Sequence, residues 1–513
     1  MALARTFAIA LDGVRGHVVE VEADISAGLP AFVLIGLPDT ALGESRKRVG
    51  AAAVNAGCPL SQKKVTVNLS PASLPKQGSG FDLAIAVAAL AAAGAIPVGA
   101  AASAVHVGEL GLDGRLRPVP GVLPSVLAAR DAGFARVVVP AASVDEARLV
   151  SGIEVVGVTG LRAAAIVHGA ELEPVDEDPV PAPLAELRPV PEPDMSEVTG
   201  NEEAVEALVA AAAGGHHLSM VGPPGAGKTM LARRLPSLLP DLTDADALEA
   251  TCIRSLAAPG AAGELVRRPP FEAPHHTASA VALVGGGSGR IAPGAIVRAT
   301  HGVLFLDEAA EFPPSVLDAL RQPLENGCIT IHRASGAASF PARFQLVLAS
   351  NPCPCGHYGS SDADCTCSPM ARRRYLSRMS GPLLDRVDIR LTVHRLGLAA
   401  LRSVAHPPGN GRSSRELRLR VEAARARAAE RLSATEWTRN ADVAGSWLRS
   451  AERRLGATAI APLDRALERG AITMRGYDRT LRLAWTLADL DDADSPDVDH
   501  VGRALFLRRG ISA

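Results

Sequence analysis

Aromatic side chains are scarce in this 513-residue chain, at 3%, while Ala, Gly and Arg abound; the pattern reflects a GC-rich coding bias more than a function. Net charge is nearly absent too. Lys and Arg number 53 against 55 Asp and Glu, so no global field draws nucleic acid or a membrane surface, and any basic surface must be local. Long apolar runs are missing. The longest, Leu83 to Val98, is Ala-rich and contains Gly94 and Pro97, which suits a buried core helix and not a bilayer span. Asp12 and Arg15 follow an apolar segment at the amino terminus with no cleavage signature, so no signal peptide is expected. Of only seven cysteines, four fall between Cys353 and Cys367. That argues against a disulfide-built secreted domain and for a cytoplasmic, reducing setting with one local metal or redox feature. No internal repeat is evident.

What is present points to a well-cored globular chain of about three domains. The clearest boundary is the Pro- and acid-rich stretch from Glu171 to Pro193, a semi-extended linker placed at 171–195. Residues 1–170 mix β-type runs (Val18 to Glu22, Lys64 to Leu69, Val105 to Gly108, Ala135 to Pro140) with Ala-rich helical segments, an α/β pattern. Alternating strands and helices fill 196–400, with a Cys-rich insertion at 351–368, and 401–513 reads as almost entirely helical.

Within the central region, Gly222-Pro223-Pro224-Gly225-Ala226-Gly227-Lys228-Thr229 fits the phosphate-loop pattern G-x-x-x-x-G-K-[ST] without a mismatch. The glycines let successive backbone N–H groups turn inward on phosphates, Lys228 adds a point charge, and the Thr229 hydroxyl suits Mg²⁺. An apolar strand, Leu218 to Val221, leads in, and a helix opens at Met230, as this motif requires. Downstream, the buried run Gly302 to Leu306 ends in Asp307, a second Mg²⁺ ligand, and Glu308, which would polarise the attacking water. A further strand, Phe344 to Ser350, ends in Asn351, placed to orient that water. Arg386, after a short helix, resembles the arginine finger of ring ATPases, and the arginines at helical spacing in a helix running to Leu490 resemble their second sensor, Arg475 foremost; Arg479 and Arg482 are either further members of that set or only surface charges. These elements in this order describe a P-loop AAA+ parallel-sheet core with a helical lid, using ATP and Mg²⁺. An arginine acting in trans implies a ring, most often a hexamer.

Several segments sharpen the identification: Val198-Thr-Gly-Asn201, His216-His217, Phe271-Glu-Ala-Pro-His275-His276, Val284-Gly-Gly-Gly-Ser288 and Asn351-Pro-Cys-Pro-Cys-Gly356. Over essentially the whole chain they resemble the magnesium-chelatase-like ComM/YifB family, with Asn201 standing where the family usually has Gln. The resemblance implies a Lon-protease-like (ribosomal S5 domain 2-like) amino-terminal domain. Laid against Lon, the nucleophile falls on Gly80 and the lysine on Ser125; Ser79 is adjacent, but no lysine base accompanies it, so no peptidase chemistry is expected. Lys63, Lys64 and Lys76 could form a small basic face there.

Cys353, Cys355, Cys365 and Cys367 form a C-x-C…C-x-C set suited to a tetrahedral, structural Zn²⁺, with His357 a possible substitute ligand. The arginine-rich segment from Met370 to Arg439 is either a phosphate-binding face or a helix surface paired with Glu416, Glu422 and Glu430. Two insertions, Pro274 to Arg290 and a hairpin near Ile329 to Arg333 and Phe340 to Arg343, resemble those that helicase-like relatives use to grip DNA. Adjacent His275 and His276 should diverge, favouring packing or hydrogen bonding over a metal. The family resemblance thus implies a DNA-acting motor, a branch-migration helicase in uptake and recombination of transforming DNA. The alternatives are a magnesium-chelatase-type protein-remodelling ATPase, against which the Lon-like domain argues, or a regulatory ATP-binding assembly protein.

Overall fold

Alternating small and β-branched residues build the first sheet of the computed structural model, which describes residues 2–36, 44–60, 64–74, 76, 78–182, 192–260, 263–287, 291–333, 336–359, 365–395 and 412–509. Lys63, Ser288, Arg290, the middle of the linker and the 400/401 boundary lie outside the described residues. Strands β1 (Ala2–Asp12) and β2 (Arg15–Ser26) pair antiparallel through a turn at Gly13, whose φ of 61° favours glycine. Then follow β3 (Ala31–Ile35), α1 (Ser45–Asn55), β4 (Lys64–Ser70), α2 (Asp82–Ala92), β5 (Val105–His106), α3 (Val122–Asp131), β6 (Arg136–Pro140) and β7 (Glu154–Val158). The seven strands make one mixed sheet in the order β3-β4-β2-β1-β5-β6-β7. Every residue of α2 is buried, between this sheet and α1, which explains why its sequence is apolar all round.

The second sheet is wholly parallel. Its elements are α4 (Glu202–Gly214), β8 (Leu218–Val221), α5 (Lys228–Leu238), α6 (Asp244–Ala257), β9 (Phe271–Glu272), β10 (Val303–Leu306), an antiparallel hairpin β11 (Cys328–Arg333) and β12 (Gly336–Pro341), then β13 (Gln345–Ser350) and β14 (Ile389–Thr392). The strand order β9-β10-β13-β8-β14 puts the ends of β8, β10 and β13 side by side at one edge. Asn201, opening α4, has φ 53°; Asn tolerates this left-handed conformation better than most residues, so the departure from Gln costs little.

Four main helices close the chain: α7 (Ser414–Arg431), started by a Ser413/Glu416 capping box, α8 (Ala457–Glu468), α9 (Met474–Leu490) and α10 (Val498–Arg509). Leu417, Val421, Leu481 and Trp485 of α7 and α9 share one hydrophobic cluster with Leu208 of α4 and Met220 of β8. The arginines of α7 bind neighbouring elements and not Glu416, Glu422 or Glu430 of their own helix. Arg420 pairs with Glu206, Arg425 donates to the Ala212 carbonyl, and Arg427 reaches the Asp489 carbonyl and Asp492. Arg412, Arg418, Arg420 and Arg425 therefore dock the lid on the core, whereas Arg378 pairs with Glu311 and Arg372 lies over the Tyr358 ring.

The two sheets are joined by more than the linker. The β1–β2 turn touches the β11–β12 hairpin: Asp12 Oδ1 accepts the Ser339 N–H at 3.3 Å, and a Cβ on Gly13 would lie 2.0 Å from the Ser339 carbonyl oxygen. Deeper in, buried Glu146 accepts from the Ser255 hydroxyl of α6 and from Leu123 N–H at 3.2 Å, while Gly121 N–H donates to the Ser255 carbonyl at 3.0 Å. Leu11 and Val14 pack with Phe340 of the hairpin, and Leu248 and Cys252 of α6 pack with Val122 and Val126 of α3.

Candidate active site

Parallel strands direct all their carboxyl ends to one edge, where loops converge and ligands bind. At that edge β8 runs into Gly222, whose hypothetical Cβ would lie 2.2 Å from the Val393 carbonyl oxygen after β14. Only a residue without a side chain fits there. Gly225 (φ 77°) and Gly227 (φ 92°) take left-handed conformations, and α5 begins at Lys228 immediately after them. The loop Gly222 to Gly227, with Pro223, Pro224 and Ala226, thus leads backbone N–H groups to a helix N-terminus, a natural seat for phosphate.

Lys228 Nζ donates to the carbonyls of Gly222 (2.6 Å) and Pro223 (3.0 Å) and to Asn351 Oδ1 (3.2 Å). Burial lowers its pKa, and the charges of Asp307 and Glu308 oppose that shift. Thr229 Oγ1 donates to Asp307 Oδ2 at 2.6 Å, joining a hydroxyl and a carboxylate into a hard-oxygen pair that could hold Mg²⁺. The structure therefore brings together Lys228, Thr229, Asp307 and Asn351 from three strands. Glu308 sits beside them with φ 51°, its N–H donating to Asp307 Oδ1 at 2.9 Å. A left-handed conformation is costly for a residue with a Cβ, and such positions gather at working sites.

Sequence reasoning missed several neighbours. His276 Nδ1 lies 3.0 Å from Glu308 Oε2, so the insertion after β9 reaches the candidate catalytic acid. The ring centroids of His275 and His276 lie 4.2 Å apart with the planes tilted by 33°, so the side chains do not diverge, because this segment is turn and not regular structure. Arg395 Nε donates to the Pro224 carbonyl at 2.7 Å. Tyr375 is buried; desolvation, with Glu311 and Glu308 nearby, pushes its hydroxyl up to about 12. The sequence pattern His275-His276 was visible, but nothing in it showed which carboxylate it would meet.

Arg386 and Arg475 are not part of this cluster. They line a cavity of about 1170 Å³ on the opposite edge of the sheet, beside His217, Gly302, Gln345 and Asp388, the residues at the amino ends of the strands. The four-residue β8 alone puts roughly 13 Å between the two edges. Arg386 pairs with Glu325 and donates to the Pro382 carbonyl at 2.6 Å; its side chain is 7% exposed. Burial lowers its pKa first, and the positive charges of Arg475, Arg321 and Arg479 add to that. The Arg475 side chain is 69% exposed and lies 4.0 Å from Asp385. Arg479 is no surface charge: it pairs at 2.7 Å with Asp388, a buried carboxylate that, together with His216, holds β14 against the lid. Arg482 is half-buried in the same wall, because α9 turns this face inward.

Farther away, no Ser–Lys pair forms among the described residues of the first sheet. Ser79 bonds Glu109, Ser125 donates to the Gly121 carbonyl at 2.7 Å, and Lys76 is buried on the carbonyls of Gly36 and Pro71. Lys76 therefore cannot belong to a basic face: it is buried, desolvation lowers its pKa, and its ammonium donates hydrogen bonds to backbone oxygens. The hairpin expected near residues 329–343 is present as β11–β12, and the other insertion is a short helix, Ala280–Val284, followed by a Gly285–Gly286/Ala292–Pro293 ladder. Sulfurs of Cys353, Cys355, Cys365 and Cys367 all lie within 4.8 Å of one another; His357 is not in the set. Among the described residues no helix is long and apolar enough to cross a membrane.

Comparison with known proteins fits this geometry. Residues 194–401 match the family model "Magnesium chelatase, subunit ChlI", residues 21–143 match "Subunit ChlI of Mg-chelatase", and residues 411–508 match "Magnesium chelatase, subunit ChlI C-terminal". An uncharacterized protein of Mycobacterium tuberculosis (strain ATCC 25618 / H37Rv) is 48% identical over 517 residues, covering 99% of each chain. Uncharacterized protein YifB of Escherichia coli (strain K12) is 39% identical over 97% of this chain and 95% of its own. Competence protein ComM of Haemophilus influenzae is 39% identical over 99% and 98%. A 137-residue stretch, 25% of this chain, is also 30% identical to Lon protease 1 of Sorangium cellulosum, covering 16% of that protein.

Proposed function

The chain belongs to the magnesium-chelatase-like AAA+ family of YifB and ComM, and from that premise we propose a Mg²⁺-dependent ATPase that assembles into a ring, most simply a hexamer, and moves DNA. The observation that carries the ring is the position of Arg386 and Arg475, across the sheet from their own phosphate loop and crowded by like charge. Within one chain Arg386 is held by Glu325 and Arg475 lies 4.0 Å from Asp385; the triphosphate bound by a head-to-tail neighbour would draw both arginines from these half-exposed or part-buried carboxylates.

In this reading the loop from Gly222 to Gly227 cradles the β- and γ-phosphates while Lys228 turns from its loop carbonyls to the γ-phosphate oxygens. Thr229 and Asp307 are the residues that would hold Mg²⁺, and the ion would supply neutralisation of phosphate charge. Glu308 leaves His276 to accept a proton from the attacking water, and Asn351 orients that water. Arg386 of one subunit stabilises charge on the phosphoryl group transferring in the next, with Arg475 beside it from the lid. The β11–β12 hairpin and the 274–290 insertion serve as DNA contacts, and the likeness to a competence protein favours branched DNA formed as incoming strands recombine. The first sheet domain serves assembly or DNA contact without peptidase chemistry.

The test is ATP turnover with and without forked or four-way-junction DNA at two salt concentrations. Strong stimulation that fades as salt rises supports the DNA motor, since phosphate contacts release counterions. Basal turnover unmoved by any DNA would instead favour a chelatase-type protein-remodelling ATPase, the reading to which the ChlI matches also lend weight.

A further inference from the structure

The cysteine cluster lies against the phosphate loop, not at a remote surface. Cys353 is fully buried and follows Asn351 by two residues. Gly356 N–H closes a turn on the Cys353 carbonyl at 3.0 Å, and a Cβ on Gly356 would lie 2.7 Å from the ring of Pro224. With φ 81° and no room, Gly356 is where this knuckle presses on the loop. On the far side of the cluster, Ser368 caps the helix Pro369–Leu376, which carries Tyr375. The four thiols thus tie the strand end bearing Asn351 to the helix bearing Tyr375.

Their geometry suits a metal. The Sγ–Sγ separations are 3.4 Å (Cys353–Cys355), 3.7 Å (Cys353–Cys365) and 3.6 Å (Cys355–Cys365). A Zn–S bond of about 2.3 Å in a tetrahedron spaces sulfurs by ~3.8 Å, whereas a disulfide would bring a pair to about 2.05 Å. Backbone N–H groups of His357, Cys367 and Cys355 are directed at the sulfurs of Cys355, Cys365 and Cys367, the partners that thiolates need when they ligate a cation.

We propose that Cys353, Cys355, Cys365 and Cys367 bind one Zn²⁺, and that this zinc knuckle braces the phosphate loop through Gly356 and Pro224 while fixing Asn351. The brace rests on the reading of Gly222 to Thr229 as the ATP site; the metal site does not. The knuckle turns zinc occupancy into a condition for nucleotide binding.

The experiment uses the full chain purified under nitrogen, its zinc content measured by plasma mass spectrometry and its free thiols counted. The Cys365→Ser/Cys367→Ser variant is compared with Lys228→Ala, with far-ultraviolet circular dichroism and gel filtration confirming that each folds. Wild type should carry one zinc per chain, and Lys228→Ala should keep it while losing ATP. The double Ser variant should lose zinc and bind a fluorescent ATP analogue about tenfold or more weakly. All seven thiols free without zinc, or only three free because the cluster holds two disulfides, would overturn the metal site. Zinc lost with analogue affinity unchanged would overturn the brace. Zinc present in a wild-type chain that binds no ATP would instead sink the proposed ATPase and leave the metal site standing.

Discussion

Replacing Arg386 with Ala should silence ATP turnover while leaving ATP binding intact, and mixing should restore it. The phosphate loop and Arg386 sit on opposite edges of one sheet, at least roughly 13 Å apart along β8, so Arg386 cannot serve its own site without refolding the core. Loss of an arginine that stabilises a transferring phosphoryl group costs about 10³-fold or more in rate. Its partner Glu325 is half-exposed, so the substitution leaves no buried carboxylate stranded and the subunit should still fold. A Lys228→Ala subunit has the opposite defect, an intact arginine and no nucleotide. When the two chains mix at random, an active interface needs an intact loop from one and an intact arginine from the next. That product of fractions peaks at about one quarter of wild-type interfaces in an equal mixture. A coupled ATPase assay across mixing ratios should therefore trace a dome with zero at both ends. Wild-type turnover by Arg386→Ala alone, or a flat line in rings shown to hold both chains, would refute the trans arrangement.

Other substitutions act within one subunit. Lys228→Ala should abolish binding in a filter or fluorescence assay, whereas Glu308→Gln should bind ATP, hydrolyse about 10²-fold more slowly or worse, and accumulate as an assembled ring on gel filtration. His276→Ala frees Glu308 from its 3.0 Å partner and should narrow the ratio of DNA-stimulated to basal turnover; an unchanged ratio would show the pair to be idle. Acid should loosen the fold before it protonates the carboxylates. Burial holds His217 down to about 4 and His106 down to about 3, and His217 Nδ1 accepts the Leu346 N–H. Because these folded values lie below the unfolded value near 6.5, the stability they contribute is complete above that pH and drains as pH falls toward 4. The drain is about 3 kcal/mol for His217 alone, visible as a falling midpoint in thermal melts at pH 6.5, 5.5 and 4.5.

The site's own strand was legible because its chemistry demands a rigid spacing. Leu218 to Val221 leading into glycines and Lys228 admits few other folds, and the helix expected to carry Arg475 and run to Leu490 is α9, which Thr473 caps. β1 was not legible. One face buries Ala4, Thr6, Ala8 and Ala10, too small to stand out as an apolar alternation, and only Ile9 is buried on the other. Nor could the sequence show that Arg479 is the part-buried partner of buried Asp388, because exposure is set by how α9 rotates against β14. His276 and Glu308 are 32 positions apart, and only the parallel adjacency of β9 and β10 makes them meet.

The turn between β1 and β2 grips Ser339 at the hairpin, and Ser255 grips Glu146 beneath it. This has a mechanical corollary. A hairpin held at its side by another domain cannot flex as a free finger; force on it is shared with a second body. If the hairpin strokes, the amino-terminal sheet swings with it as a load-sharing outrigger, and a chain cut at the linker would bare Leu248, Cys252 and Phe340 to water. The linker is thus not the sole tie between the two sheets, and Met195 already belongs to the core of the second.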